Sequence, residues 1–199
     1  MRKKLVLVAS PPACGKTYVS KLIAKQIGGS VYLDKDDLAP IVRRAFNLAS
    51  EPLNMDGEFY VNNIRQVEYE TILNIAFSTL EFNDFVLLNA PFGKEVRDNN
   101  FIRSLKEKAN KLNSDLILIW VYAPKEVVYE RMKKRASDRD LLKIKKWKEY
   151  SSKINYSCPT ELIKNQAVTR LITFDSTDDS TTEKSLKETL EILTKSEQL

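Results

Sequence analysis

Ser10-Pro11-Pro12-Ala13-Cys14-Gly15-Lys16-Thr17 is the stretch on which the fold of this chain turns. It nearly completes the phosphate-binding pattern G-x-x-x-x-G-K-[ST], with Ser10 standing where the first glycine is expected. Before it, Leu5-Val6-Leu7-Val8-Ala9 reads as a buried parallel strand. After it, Val19, Leu22, Ile23 and Ile27 recur at helical spacing until Gly28-Gly29 stops the helix. A strand, a tight loop and a helix in this order aim backbone N–H groups and a helix N-terminus at one point, where an anion binds. Pro12, Ala13, Cys14 and Gly15 form the cradle. Gly15 reaches a backbone shape that other residues resist, and Pro11 and Pro12 stiffen the approach by fixing φ. Lys16 is placed to reach the β- and γ-phosphates, and the Thr17 hydroxyl to ligate Mg²⁺. The alternative is an ordinary strand–turn–helix that carries a lysine.

Composition narrows the chemistry. The 199 residues suit one domain, 43% hydrophobic and 30% charged. No apolar run reaches the length of a membrane span, and the stretch behind Met1-Arg2-Lys3-Lys4 is too short for a signal peptide. The expected location is cytoplasmic. Two cysteines, Cys14 and Cys158, argue against an oxidised framework. Cys14 fills a small position, and its place at a helix N-terminus is expected to lower its pKa. The net charge of +5 suits a nucleotide or an RNA equally. With no histidine, Ser–His triads and His-based metal sites are excluded, and a general base must be a carboxylate, lysine, tyrosine or cysteine.

Strand and helix patterns alternate, which predicts an α/β fold with a mainly parallel sheet covered on both faces. Strands are expected over 30–33, 85–88, 116–121 and 170–174. Helices are expected over 37–46, 60–80, 96–112, 124–137, 140–154 and 186–193, with loops over 47–58 and 175–183. In the 60–80 helix, Tyr60, Ile64, Val67, Thr71 and Ile75 mark one stripe. The charged zone 131–148 reads as a mobile lid.

Leu33-Asp34-Lys35-Asp36-Asp37 follows the second strand, at the edge of a parallel sheet where ligands bind. A carboxylate there can take the proton of a hydroxyl that attacks a γ-phosphate. Asp36 is the choice for this base, with Asp34 and Asp37 as alternatives and helix capping as a compatible role. Thr17 and Asp36 are the residues expected at the metal. Asn89, in Asn89-Ala90-Pro91-Phe92-Gly93, stands where an aspartate often positions Mg²⁺. It either holds substrate or a metal-bound water, or belongs to a turn set by Pro91 and Gly93.

Arg131, Arg135 and Arg139 share one face if a single helix runs through them. They either neutralise the transferring phosphoryl group from the lid or form a solvated basic face. Arg43 and Arg44 can bind an anionic substrate or lie at the surface. Asp175-Ser176-Thr177 either packs beside a nucleotide base or simply connects the last strand to the next helix.

Together the Ser10–Thr17 loop, the Leu33–Asp37 segment and the arginine-bearing lid resemble the P-loop kinase superfamily. The nearest resemblance is to small AAA-type ATP-binding kinases similar to gluconate and shikimate kinases, chloramphenicol phosphotransferase, zeta toxins and polynucleotide kinase. The resemblance spans nearly the whole chain. It implies a three-layer αβα sandwich on a five-stranded parallel sheet of order 2-3-1-4-5, one domain over 1–199, and a helical lid near 125–155. It also implies ATP and Mg²⁺, with Lys16 and Thr17 as nucleotide and Mg²⁺ residues and Asp36 as the hydroxyl-activating base. Arg131 and Arg135 become lid arginines in that scheme, with Arg135 and Asp175 also beside the nucleotide.

The expected activity is transfer of a γ-phosphoryl group to a hydroxyl of a small molecule. A polynucleotide 5′-hydroxyl kinase is the first rival. It is weakened by Ala39 three residues after Asp36, where polynucleotide kinases carry an arginine, and by the lack of an aromatic-rich binding stripe. A nucleotide-binding switch without an acceptor is the second. A membrane partner is not expected.

Overall fold

A computed structural model of the protein describes residues 2–195, and within them every side chain except those of Asp138 and Arg139. Five strands form one sheet: β1 (Lys3–Ala9), β2 (Val31–Asp34), β3 (Phe85–Asn89), β4 (Ser114–Tyr122) and β5 (Arg170–Asp175). Their order is β2-β3-β1-β4-β5 and every pairing is parallel. This is the αβα arrangement expected from the sequence, with the expected strand order.

Each of the first four strands is followed by a crossover through helix, as parallel pairing demands. The helices are α1 (Lys16–Gln26), α2 (Ala39–Leu48), α3 (Glu58–Asn63), α4 (Arg65–Phe82), α5 (Asn99–Lys111), α6 (Lys125–Arg135), α7 (Asp138–Lys145), α8 (Trp147–Lys153), α9 (Glu161–Lys164) and α10 (Asp179–Thr194). Short 3₁₀ turns occupy Lys35–Leu38 and Glu95–Arg97. Alternate residues of β1 and β4 feed two separate cores. Leu5, Leu7, Leu116, Leu118 and Trp120 pack beneath α4 and α5. Val6, Val8, Ile117, Ile119 and Val121 pack beneath α1, α6 and α10.

Register brings the chemistry to one edge. Val8 pairs with Asn89 and Asn89 with Asp34, while Ala9 pairs with Trp120 and Tyr122 with Asp175. The carboxyl ends of all five strands therefore open on the same crevice, where ligands of open α/β sheets bind.

Several expected helices are corrected. The 60–80 helix is two, broken at Ile64, and its buried face is Glu68, Tyr69, Ile72, Leu73, Ala76 and Leu80. Val67 and Ile75, expected on the core stripe, are exposed. The apolar pattern misleads because a carboxylate, Glu68, takes a core position once a cation is buried with it. The 96–112 helix begins at Asn99, where the Asp98 carboxylate caps the N–H groups of Asn100 and Phe101 at 2.9 and 3.2 Å.

The 140–154 helix is likewise two, joined at Lys146. The last helix starts seven residues earlier than 186, at Asp179, because Asp178 and Thr181 form a reciprocal capping box. The arginine face is interrupted as well. α6 ends at Arg135 with Ala136 left-handed, at φ 46°. Arg139 thus belongs to α7 and does not extend the Arg131–Arg135 face; its side chain lies outside the described residues.

Candidate active site

The loop after β1 has the shape that its sequence predicts. Ala13 and Gly15 are both left-handed, at φ 60° and 85°, and Gly15 is the N-cap of α1. Left-handed residues among right-handed ones turn successive N–H groups inward, the concavity that binds anions. Pro11 is buried and Pro12 exposed. The Ser10 amide donates to the Pro91 carbonyl at 3.4 Å, tying the loop to the segment after β3.

Asn89 organises the centre. Its Oδ1 accepts from Lys16 Nζ at 2.6 Å and from Ser20 Oγ at 3.3 Å. Its Nδ2 donates to Asp34 Oδ2 at 2.7 Å, to Thr17 Oγ1 at 3.2 Å and to the Tyr32 hydroxyl oxygen at 3.2 Å. Tyr32 O–H in turn donates to Asp34 Oδ2 at 2.6 Å, and the Asp36 N–H donates to Asp34 Oδ1 at 3.0 Å. Asn89 is fully buried and Asp34 nearly so.

Burial, the largest single influence, opposes ionisation of Asp34. The bonds from Tyr32, the Asp36 N–H and Asn89, with the Lys16 charge, outweigh it and hold the carboxyl below its ordinary range. Burial, joined by the Asp34 carboxylate, pushes the Tyr32 phenol well up, so that it remains a proton donor.

The predicted residues thus divide. Lys16, Thr17 and Asn89 come together. Among the three aspartates, Asp34 is wired to Lys16 and Thr17 through Asn89, whereas Asp36 and Asp37 are exposed on the adjoining 3₁₀ turn. The sequence offers Asp34 only as an alternative base and does not mark Tyr32 or Ser20. Tyr32 lies two residues before Asp34, so both point to the same side of β2, and that spacing was the available signal.

Arg131 stands over the loop. Its Nη1 donates to Ser176 Oγ at 3.3 Å and its Nη2 to the Ser176 carbonyl. A side chain at Gly15 would meet Arg131 Nη1 and Ser176 Oγ at 3.5 Å. Ser176 Oγ donates to the Cys14 carbonyl at 2.6 Å, so the strand-β5 loop is fastened to the phosphate loop. Arg135 points elsewhere, with Nε and Nη2 on Asp140 Oδ2 at 2.8 and 2.6 Å. The Asp175 carboxylate accepts from the Thr177 N–H and hydroxyl at 2.9 and 2.5 Å and so shapes its own turn.

Cys14 contradicts one expectation. It is buried, and desolvation pushes its thiol up to about 11, against the smaller opposing influences of a backbone hydrogen bond at Ala123 and of Arg131. The helix N-terminus does not activate it, because its side chain points into the core beneath the loop.

A second polar cluster flanks the first. Lys35 Nζ pairs with Glu68 Oε1 at 2.7 Å, both side chains almost wholly buried, and Tyr60 O–H donates to Glu68 Oε2. Tyr69 packs against Lys35 Nζ at 5.6 Å and against the Arg65 guanidinium at 4.9 Å. Arg65 pairs with Glu95 Oε1 at 2.5 Å. Of these residues only Lys35, within the Leu33–Asp37 segment, and Tyr60, on the expected stripe, belong to a sequence pattern.

No group of three or more carboxylate, cysteine or histidine side chains that could hold a metal occurs among the described residues. A Mg²⁺ ion fits here only in company with phosphate oxygens and waters, on the partly exposed Thr17 hydroxyl, with Asp34 behind it. That donor set, all hard oxygens and few from protein, is the kind Mg²⁺ accepts.

Neither a protein-family profile nor a curated protein matches this sequence. Solved structures do. A candidate kinase from Chloroflexus aurantiacus is similar with a TM-score of 0.61 at 18% identity, over 97% of each chain. A chain of the PezAT toxin–antitoxin system of Streptococcus pneumoniae gives 0.61 at 10% identity, over 97% of this chain and 88% of that one. A shikimate kinase from Bacteroides thetaiotaomicron gives 0.54 at 13%, over 94% and 97%.

The chain has the P-loop αβα fold. At these identities the likeness is one of architecture, and it spans nearly the whole chain. No helix among the described residues is long and apolar enough to cross a membrane.

Proposed function

We propose that this protein is an ATP- and Mg²⁺-dependent kinase that phosphorylates a hydroxyl of a small molecule. The observation that carries the reading is the Lys16–Asn89–Asp34 chain of hydrogen bonds at the mouth of a left-handed phosphate loop. The similarity in shape to kinases supports it.

The loop N–H groups hold the phosphates, and Lys16 neutralises the β- and γ-oxygens. Thr17 would hold the metal through its hydroxyl, and the Asp34 carboxylate would balance its charge from behind. That role suits a carboxylate kept ionised, and it moves the metal assignment from Asp36 to Asp34. Bound Mg²⁺ supplies charge neutralisation of the transferring group. Asp36, exposed on the 3₁₀ turn beside this centre, takes the acceptor proton. The acceptor oxygen bonds to the γ-phosphorus, the bond from that phosphorus to the bridging oxygen breaks, and ADP leaves.

Arg131 and the 175–177 loop flank the nucleotide base. The segment 125–155 acts as a lid on a single domain, and Arg135 reaches the phosphates after leaving Asp140. Closure excludes water, so that ATP is not merely hydrolysed. A cytoplasmic location suits this chemistry.

The test is transfer of label from γ-labelled ATP with Mg²⁺ into a small-metabolite extract, beside a 5′-hydroxyl oligonucleotide. Wild type labels the extract. Asp36→Asn binds ATP but transfers nothing, whereas Asp34→Asn weakens Mg²⁺ dependence first. Label confined to the oligonucleotide moves the acceptor to nucleic acid. ATP binding without any transfer replaces the kinase by a switch.

A further inference from the structure

The positive charge of this protein is gathered in one segment. Residues 125–153 hold eleven lysines and arginines against five carboxylates, a net charge of +6, and the rest of the chain sums to −1. Part of that charge is neutralised within the fold. Lys133 pairs with Glu130 at 3.1 Å, Arg135 with Asp140 at 2.6 Å, Lys143 with Asp56 at 2.8 Å and Lys153 with Glu149 at 2.6 Å. Lys145, Lys146 and Lys148 are exposed, and none of the three forms an ion pair among the described residues. They sit at the joint between α7 and α8, on the rim of one groove.

The groove encloses about 640 Å³, and Tyr129, Ile144, Trp147 and Glu149 complete its lining. Tyr129 and Trp147 are 18 residues apart, so no aromatic stripe marks them in the sequence. Folding brings their ring centroids to 5.1 Å, tilted by 47°, and Tyr150 continues the row 5.9 Å beyond Trp147. Helix geometry separates this groove from the phosphate loop. Val128 and Met132 form the buried stripe of α6. Arg131 leaves one flank of that stripe for Ser176, and Tyr129, about 200° around the helix from it, leaves the other.

Unpaired ammonium groups beside half-buried rings fit an anionic chain that carries flat bases. Lysines neutralise its phosphates, and aromatic side chains stack on its unpaired bases. A duplex hides its bases from such rings, and an acidic peptide has none to offer. Glu149 narrows the choice further. A carboxylate only accepts hydrogen bonds and repels phosphate, and the ribose 2′-hydroxyl is a donor that DNA lacks. We propose that this outer groove of the 125–153 segment binds single-stranded RNA. Lys145, Lys146 and Lys148 meet its phosphates, Tyr129 and Trp147 its bases, and Glu149 a ribose 2′-hydroxyl. The site is separate from the phosphate-acceptor site and does not depend on the kinase reading.

The experiment titrates the whole chain, without ATP, with an oligouridylate at several salt concentrations and reads tryptophan fluorescence. The chain has two tryptophans and Trp120 is 1% exposed, so quenching reports on Trp147. The expected result is quenching on binding, with log K falling against log salt at a slope of about −2, as three phosphate contacts on a single strand give. Lys146→Gln, at an exposed position with no ion pair to lose, should reduce the slope by about 0.7. Trp147→Ala, followed by anisotropy of a labelled oligouridylate, should weaken binding about tenfold and keep the slope. An oligodeoxyuridylate of equal length should bind more weakly, and Glu149→Ala should erase that difference. Binding without quenching, a slope indifferent to Lys146→Gln, or equally good competition by polyglutamate overturns the inference. A deoxy strand bound as tightly as the ribo strand overturns the assignment to RNA. Transfer of label from ATP is read separately, so either proposal can fail without the other.

Discussion

Asn89 Oδ1 lies 2.6 Å from Lys16 Nζ, so a neutral amide rather than a carboxylate receives the lysine of the phosphate loop. The amide does what a carboxylate cannot. It accepts from Lys16 with one end and donates to Asp34 at 2.7 Å with the other. The missing strand-end aspartate is thereby accounted for, since the negative charge has moved across the sheet to β2. Asn89→Asp, which looks like a repair toward the common pattern, should therefore harm the protein. Two carboxylates would meet at hydrogen-bond distance in a buried place. The expected loss is about 1–3 kcal/mol of stability at pH 7, shrinking toward pH 4 as one carboxylate takes a proton. Urea unfolding at the two pH values checks it.

Lys35 and Glu68 should behave as a unit. Removing one partner strands the other charge in the core, at roughly 3–5 kcal/mol, whereas apolar replacement of both is near neutral. Lys35→Met alone should lower the unfolding midpoint sharply, and Lys35→Met with Glu68→Leu should restore most of it. Because Lys35 anchors the turn that carries Asp36, the double variant should be folded but slow in phosphoryl transfer. Paired denaturation and turnover measurements separate the two effects.

Asp34 makes stability depend on acid. Its folded pKa lies below the unfolded value, which is about 3.9. The fold therefore favours the ionised form, and the resulting stability is present above about pH 4 and drains away as pH falls through the folded pKa. Asp34→Asn lacks this contribution. The stability difference between wild type and Asp34→Asn should be constant from pH 7 to 5 and narrow below 4. A difference that widens on acidification contradicts the arrangement.

Cys14 should be inert. Its thiol is pushed up to about 11 by burial, which leaves roughly one thiolate in a thousand at pH 8. Iodoacetamide at pH 8 should label the part-exposed Cys158 in the native protein and reach Cys14 only on unfolding, as read by peptide mass spectrometry.

Much of this architecture was legible before any coordinates. The Ser10–Thr17 loop announced its own geometry, because a left-handed glycine between a strand and a helix depends on a few adjacent residues. The five strands were found to within two residues or so, since alternation and β-branching are local. Helix limits were read less well. Asp98 and Asp178 begin helices by capping hydrogen bonds that apolar periodicity does not register. The stripe expected on α4 fails at Val67 and Ile75 because Glu68 occupies the core face, and Lys35 and Tyr60, both from other elements, make that burial tolerable.

The sequence by itself determined the phosphate loop, the alternation of strand and helix, and the short list of carboxylates and arginines available for chemistry. The tertiary structure decided which of them meet. Asp34 reaches Asn89 across 55 residues of chain because β2 and β3 pair in one register. Arg131 reaches Ser176 across 45 because β4 and β5 end side by side. A turn or a strand is set by neighbours within a few residues. A hydrogen bond between distant side chains is set by the sheet register and the helix packing that bring them to one edge, and only the folded chain contains those.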